Sequence, residues 1–104
     1  MVSKFDMAKA RREGLRWLVI LTLNNARSVG AYEFLIQTVV QCEYPDATAQ
    51  ELRNELDYLA GRKLIDLTKE PSGKWHAKLN RCGIDVAEYT VDCQPGIARP
   101  AKYW

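Results

Sequence analysis

From Asp6 to Ala26 the chain reads DMAKARREGLRWLVILTLNNA, and its polarity changes halfway. The first half spaces its apolar residues along one helical face, with basic residues between them. The second half, centred on WLVILTL at 17–23, is apolar nearly all round, which is unusual for a helix on a monomer's surface. The pattern predicts a helix over 6–25, capped by Asp6 and ended at Asn24-Asn25. Such a helix either crosses the centre of the domain or is covered by a second copy of the chain. Ser28 is then a candidate N-cap for VGAYEFLIQTVVQC, in which Tyr32, Leu35, Ile36, Val39 and Val40 keep helical spacing. Tyr44-Pro45-Asp46 breaks this second helix.

Thr48-Ala49-Gln50-Glu51 has the form of a capping box, with Thr48 as N-cap and Glu51 reaching back to it. Leu52, Leu56 and Leu59 follow on one face, and Gly61 offers a left-handed residue to stop the third helix. The stretch KLIDLTKEPSGKWHAKL at 63–79 reads as a hairpin: Leu64, Ile65 and Leu67, a Pro71-Ser72-Gly73 turn, then Trp75, Ala77 and Leu79 alternating. Asn80 can cap a short helix over 81–89, and two prolines and a glycine after Cys93 exclude a regular tail.

Helix, helix, capped helix, hairpin and short helix is the order of a winged helix-turn-helix. The expected fold is mainly α with a small β-hairpin, as a winged-helix domain over 1–92 and an extended C-terminal tail over 93–104.

Net charge is only +2, but it is banded. Residues 1–27 sum to +4, residues 28–61 to −5, residues 62–81 to +4 and residues 82–104 to −1. The segment that should approach DNA lies in the acidic band.

The segments LDYLAGRKLIDLTKE, WHAKLNRCGIDVAEYTVDCQPGIARP and the terminal KYW resemble the small winged-helix proteins encoded by Mu-like phages and prophages. The tail is the most distinctive part, since generic winged helices do not end in Pro-Gly-Ile-Ala-Arg-Pro. The resemblance implies a phage origin, a bacterial-host cytoplasmic location and a winged-helix fold. It supplies neither catalytic residues nor a ligand.

In a DNA-reading winged helix the third helix enters the major groove and the wing meets the backbone. Gln50 and Asn54 have the chemistry to pair with adenine and Arg53 with guanine, while Lys63, Lys69 and Lys74 can hold phosphates. Lys9, Arg12 and Arg16 form a basic face on the first helix that can add to this. Glu51, Glu55 and Asp57 on the same third helix oppose the approach of phosphate.

The leading expectation is therefore double-stranded DNA binding, in transcription or packaging. The alternative is an adaptor that binds a phage or host protein without touching DNA. Trp17, Ile20 and Leu21 on the apolar half of the first helix, with Tyr103 and Trp104 at the end of the tail, are the candidate dimer or partner interface. A homodimer is expected, and if two-fold it would suit a palindromic site.

Catalysis is not expected, because His76 is the only histidine and there is no glycine-rich phosphate loop. Cys42, Cys82 and Cys93 form no metal-ligand spacing, so neither metal nor cofactor is expected and the thiols read as reduced. No signal peptide is recognisable, and WLVILTL is far too short to span a bilayer.

Overall fold

The structure, a computed structural model, describes residues 4–102. The expected contacts of Tyr103 and Trp104 lie outside the described residues. Among the described residues four helices and three strands follow in the order α1 (Lys4–Asn25), β1 (Ala31–Tyr32), α2 (Glu33–Gln41), α3 (Ala49–Gly61), β2 (Ile65–Lys69), β3 (Trp75–Leu79) and α4 (Arg81–Ala87). The strands form one antiparallel sheet in the order β1-β3-β2. This compact α/β arrangement is compatible with the expected winged helix. No described helix is long and apolar enough to cross a membrane.

Helix α1 packs against α2, α3, α4 and β3. That explains its second half: Leu15, Val19, Ile20 and Leu23 are fully buried within the single chain. Around them close Ile36 and Val40 of α2, Leu52, Leu56 and Leu59 of α3, and Ala77 and Leu79 of β3. The core is continuous and its members come from every layer.

The second helix starts later than the sequence pattern suggests. Ser28 caps nothing; residues 26–29 form a turn, and Ala31 and Tyr32 pair with Ala77 and His76 as a third strand. The cause is Gly30, held at φ 74° where a Cβ would strike the Ala77 carbonyl and the His76 ring. Tyr32 thereby leaves the helical face and Leu35 turns to solvent, both more than two-fifths exposed.

Helix α3 begins as expected, with Thr48 Oγ1 accepting from the Glu51 N–H at 3.1 Å. The reciprocal half of the capping box is replaced, because the Glu51 carboxylate accepts from Arg11 instead. The C-terminus also differs from expectation. Gly61 is the last helical residue, and the left-handed position falls on Lys63 at φ 61°. Lys63 N–H reaches the Ala60 carbonyl and Leu64 N–H the Leu59 carbonyl, the paired bonds of a Schellman motif.

In the hairpin, Trp75, Ala77 and Leu79 alternate as expected; they face inward and His76 faces out. Asn80 Oδ1 caps α4 by accepting from Gly83 N–H at 3.0 Å. The described part of the tail folds back on the domain. Ala98 N–H donates to the Glu13 carbonyl, Arg62 to Pro95, Tyr89 Oη to Pro100, and Ile97 is buried.

Candidate functional site

The solvent side of α3 presents Gln50, Asn54 and Asp57 in a row. Gln50 Nε2 donates to Asn54 Oδ1 at 2.9 Å, and both amides are otherwise open to solvent. The carboxylates that the sequence sets beside them are each neutralised within the chain. Glu51 accepts from Arg11 at 2.7 and 3.0 Å, Glu55 from Arg16 at 2.7 Å, and Asp57 pairs with Lys69 at 2.9 Å.

Glu55 and Arg16 form the most enclosed of these pairs, their side chains 6% and 12% exposed. Arg16 also donates to the Gly96 carbonyl at 2.8 Å and lies 3.5 Å from the centroid of the Tyr58 ring. It is thus a strut between α1, α3 and the tail, not part of an open basic face.

Arg53 is bound in place. Its guanidinium donates to both oxygens of Glu33 at the start of α2 and to the Gly73 carbonyl of the hairpin turn at 2.8 Å. It also lies over the Trp75 ring, 4.6 Å from the centroid, and the Lys69 ammonium lies 4.4 Å from the same centroid. Opposite charges stabilise one another here: Arg53 holds the Glu33 carboxyl below its ordinary range, and Glu33 raises Arg53. Reading guanine with Arg53 would require breaking a two-pronged ion pair that ties the hairpin to α2 and α3.

Lys63 and Lys74 are exposed and make no ion pair among the described residues, as are Arg12 on α1 and Lys78 on β3. Arg12 lines the same shallow depression between α1 and α3 as Gln50 and Asn54. The six proposed DNA-facing residues therefore divide. Gln50, Asn54, Lys63 and Lys74 are open, whereas Arg53 and Lys69 serve the seam between helix and hairpin.

The candidate interface residues divide as well. Ile20 is 0% exposed, so it belongs to the core and cannot meet a partner; the packing of four elements around α1 is the reason. Trp17 is half-buried with its ring edge-on to Tyr89, 6.1 Å between centroids. Leu21 alone of the three keeps substantial exposure, beside Leu35 and Val39 of α2.

Sequence reading missed Glu33, whose role needed the spatial meeting of α2, α3 and the hairpin. It also missed the apolar surface of Val29, Phe34 and Leu35, because the helical pattern placed Leu35 in the core. Phe34 is 80% exposed, the most of any large apolar residue among those described. On the outer sheet face Tyr32 Oη donates to Glu70 at 2.7 Å, which raises the Tyr32 phenol, and His76 Nε2 lies 3.1 Å from the Val29 carbonyl. Cys42 and Cys82 are exposed and Cys93 is half-buried, its thiol pushed up by burial. No group of three metal-ligating side chains occurs among the described residues.

No family model, curated protein or solved structure matches the chain.

Proposed function

We propose that this chain is a winged helix-turn-helix protein of the Mu-like phage type that binds double-stranded DNA through α3 and the 63–79 hairpin. The element order, the β1-β3-β2 sheet and a hairpin directly after α3 support the winged-helix assignment. One observation carries the DNA reading. Every carboxylate of α3 is neutralised by a cation of the same chain, leaving Gln50 and Asn54 as the open polar groups of that helix. The repulsion that the acidic band would exert on phosphate is thereby largely removed, and Arg12, Lys63 and Lys74 remain free to contact the backbone.

A protein-binding role without DNA contact is favoured by a different observation, the uncharged and partly apolar outer surface of α2. Binding to a fluorescent mixed-sequence duplex at about 50 and 200 mM salt separates the two readings. The DNA reading expects roughly micromolar affinity at low salt that falls steeply at high salt. In that case Lys74→Glu weakens binding to all sequences, while Asn54→Ala lowers discrimination between them. No binding at either salt refutes it in favour of the adaptor.

A further inference from the structure

Of the 15 basic and 13 acidic residues, only Arg27 and Glu33 fall within residues 17–42, the stretch that forms the second half of α1 and all of α2. The solvent side of α2 is Phe34, Leu35, Thr38, Gln41 and Cys42, all exposed and all uncharged. Beside it, Leu18, Leu21, Leu35 and Val39 line an apolar groove between the helices, with Thr22 and Asn25 among its few polar neighbours. A ridge headed by Phe34 and a groove at Leu21 thus lie on one continuous, charge-free face. Surface helices of monomers ordinarily carry charge on the solvent side.

The occupant is indicated by what stands at the two ends of α2. At its start Lys74 sits beside Phe34, exposed and without an ion pair among the described residues. At its finish Glu43 is exposed and equally without an ion pair. A strip that is neutral along its length, positive at one end and negative at the other is complementary to itself turned around. We infer that this face binds a second copy of the chain about a two-fold axis, with α2 antiparallel to α2 of the partner. Lys74 then meets Glu43 of the partner subunit, Phe34 enters the partner's apolar surface, and Thr38 at mid-helix lies next to its own mate.

The face is small. Helix α2 is about 14 Å long, and two helices in width place the buried area below about 1,200 Å² in total, among the weak and transient interfaces. A dissociating dimer follows, with Kd on the order of tens of micromolar. The inference shares Lys74 with the proposed DNA surface, but Phe34 and Glu43 lie outside that surface, so Phe34→Glu and Glu43→Lys test the dimer apart from DNA binding.

The test is sedimentation velocity of the full chain from about 5 to 200 µM, a range bracketing that Kd. Wild type is expected to shift reversibly from monomer to dimer, and Phe34→Glu to remain monomeric with an unchanged far-UV spectrum. Lys74→Glu and Glu43→Lys should each weaken the dimer, and the two together should restore it. Thr38→Cys in a Cys42→Ser, Cys82→Ser background should form a disulfide-linked dimer on oxidation, a product that a head-to-tail contact does not give. A wild type that is monomeric throughout overturns the inference and assigns the face to a different protein. A Phe34→Glu chain that still dimerises overturns it as well.

Discussion

Helix α1 meets its two main helical neighbours by opposite means. Against α3 it places Arg11 and Arg16, which clasp Asp46, Glu51 and Glu55 in bonds of 2.7–3.0 Å. Against α2 it places Leu18 and Leu21, with no charge on either side of the groove. The charged seam is closed where Arg11 and Arg16 have each found their carboxylates. The uncharged face is open, since Phe34, Leu35 and Leu21 retain exposure. The banded charge of the sequence is thus first of all a docking code within the chain, basic α1 onto acidic α3. What is left to meet other molecules is the surface that this code does not consume.

The sharpest way to break that contrast is Arg16→Ala. It removes the Glu55 ion pair, the Gly96 bond and the Tyr58 stack, and it leaves a carboxylate with a 6% exposed side chain unpaired. The expected cost is about 3–5 kcal/mol, the usual penalty for orphaning a buried charge. Replacing both partners, as Arg16→Met with Glu55→Leu, should recover most of this loss in urea unfolding, because no charge is then left stranded. Leu35→Asp on the open face supplies the contrast. With Leu35 53% exposed, the monomer's stability should change by no more than about 0.5–1 kcal/mol.

Next in size is Arg53→Ala, which cuts the link from α2 to the hairpin turn. The expected loss is smaller than for Arg16, because this two-pronged pair is more exposed. Hydrogen exchange should rise first at residues 69–75 rather than in α1, placing the loss in the seam. If Arg53→Ala instead left stability untouched and changed only DNA site choice, the seam would be incidental and Arg53 a reader of bases.

Smaller, and of opposite sign, is Lys63→Gly. Lys63 holds φ 61° at the Schellman position after α3, a conformation that costs a side-chain-bearing residue. Glycine there should stabilise the chain by about 0.5–1 kcal/mol in thermal or urea unfolding, offset slightly by its greater freedom when unfolded. Since Lys63 is also a candidate phosphate contact, the same variant should bind a duplex more weakly while folding more firmly.

Local signals were legible in the sequence where one element sufficed to express them. Thr48 and Asn80 cap as their side chains require, and Trp75, Ala77 and Leu79 alternate along β3 as their spacing predicts. What failed were choices decided by a partner distant in sequence. Two-residue β1 carries too short a pattern to be seen, and it exists because Gly30 lets the chain lie against β3. Gly61 looked like the stop of α3, yet the left-handed turn came two residues later, where Leu64 could reach the core. For the site, Gln50 and Asn54 could be picked out by helical phase alone. The commitment of Arg53 and Lys69 could not, because Glu33 lies 20 residues from Arg53 and the Lys69–Asp57 pair forms only when the hairpin folds over α3.

Acid provides the finest test of the seam. Arg53 holds the folded Glu33 carboxyl below its ordinary value of 4.5. A carboxyl whose folded pKa is depressed adds stability that is present above its unfolded pKa and is lost as pH falls through the folded value. Wild type should therefore exceed Glu33→Gln in unfolding midpoint at neutral pH, and the difference should shrink once pH drops below 4.5. Acid still weakens both chains, since Asp46 beside Arg11 is likewise held low and is present in each. It is the difference between the two chains, not their common decline, that isolates the seam. A difference that stays constant from neutral pH into acid would mean that Glu33 contributes by shape and hydrogen bonding, with its charge irrelevant. A difference that closes would place the hairpin's attachment to α3 under electrostatic control.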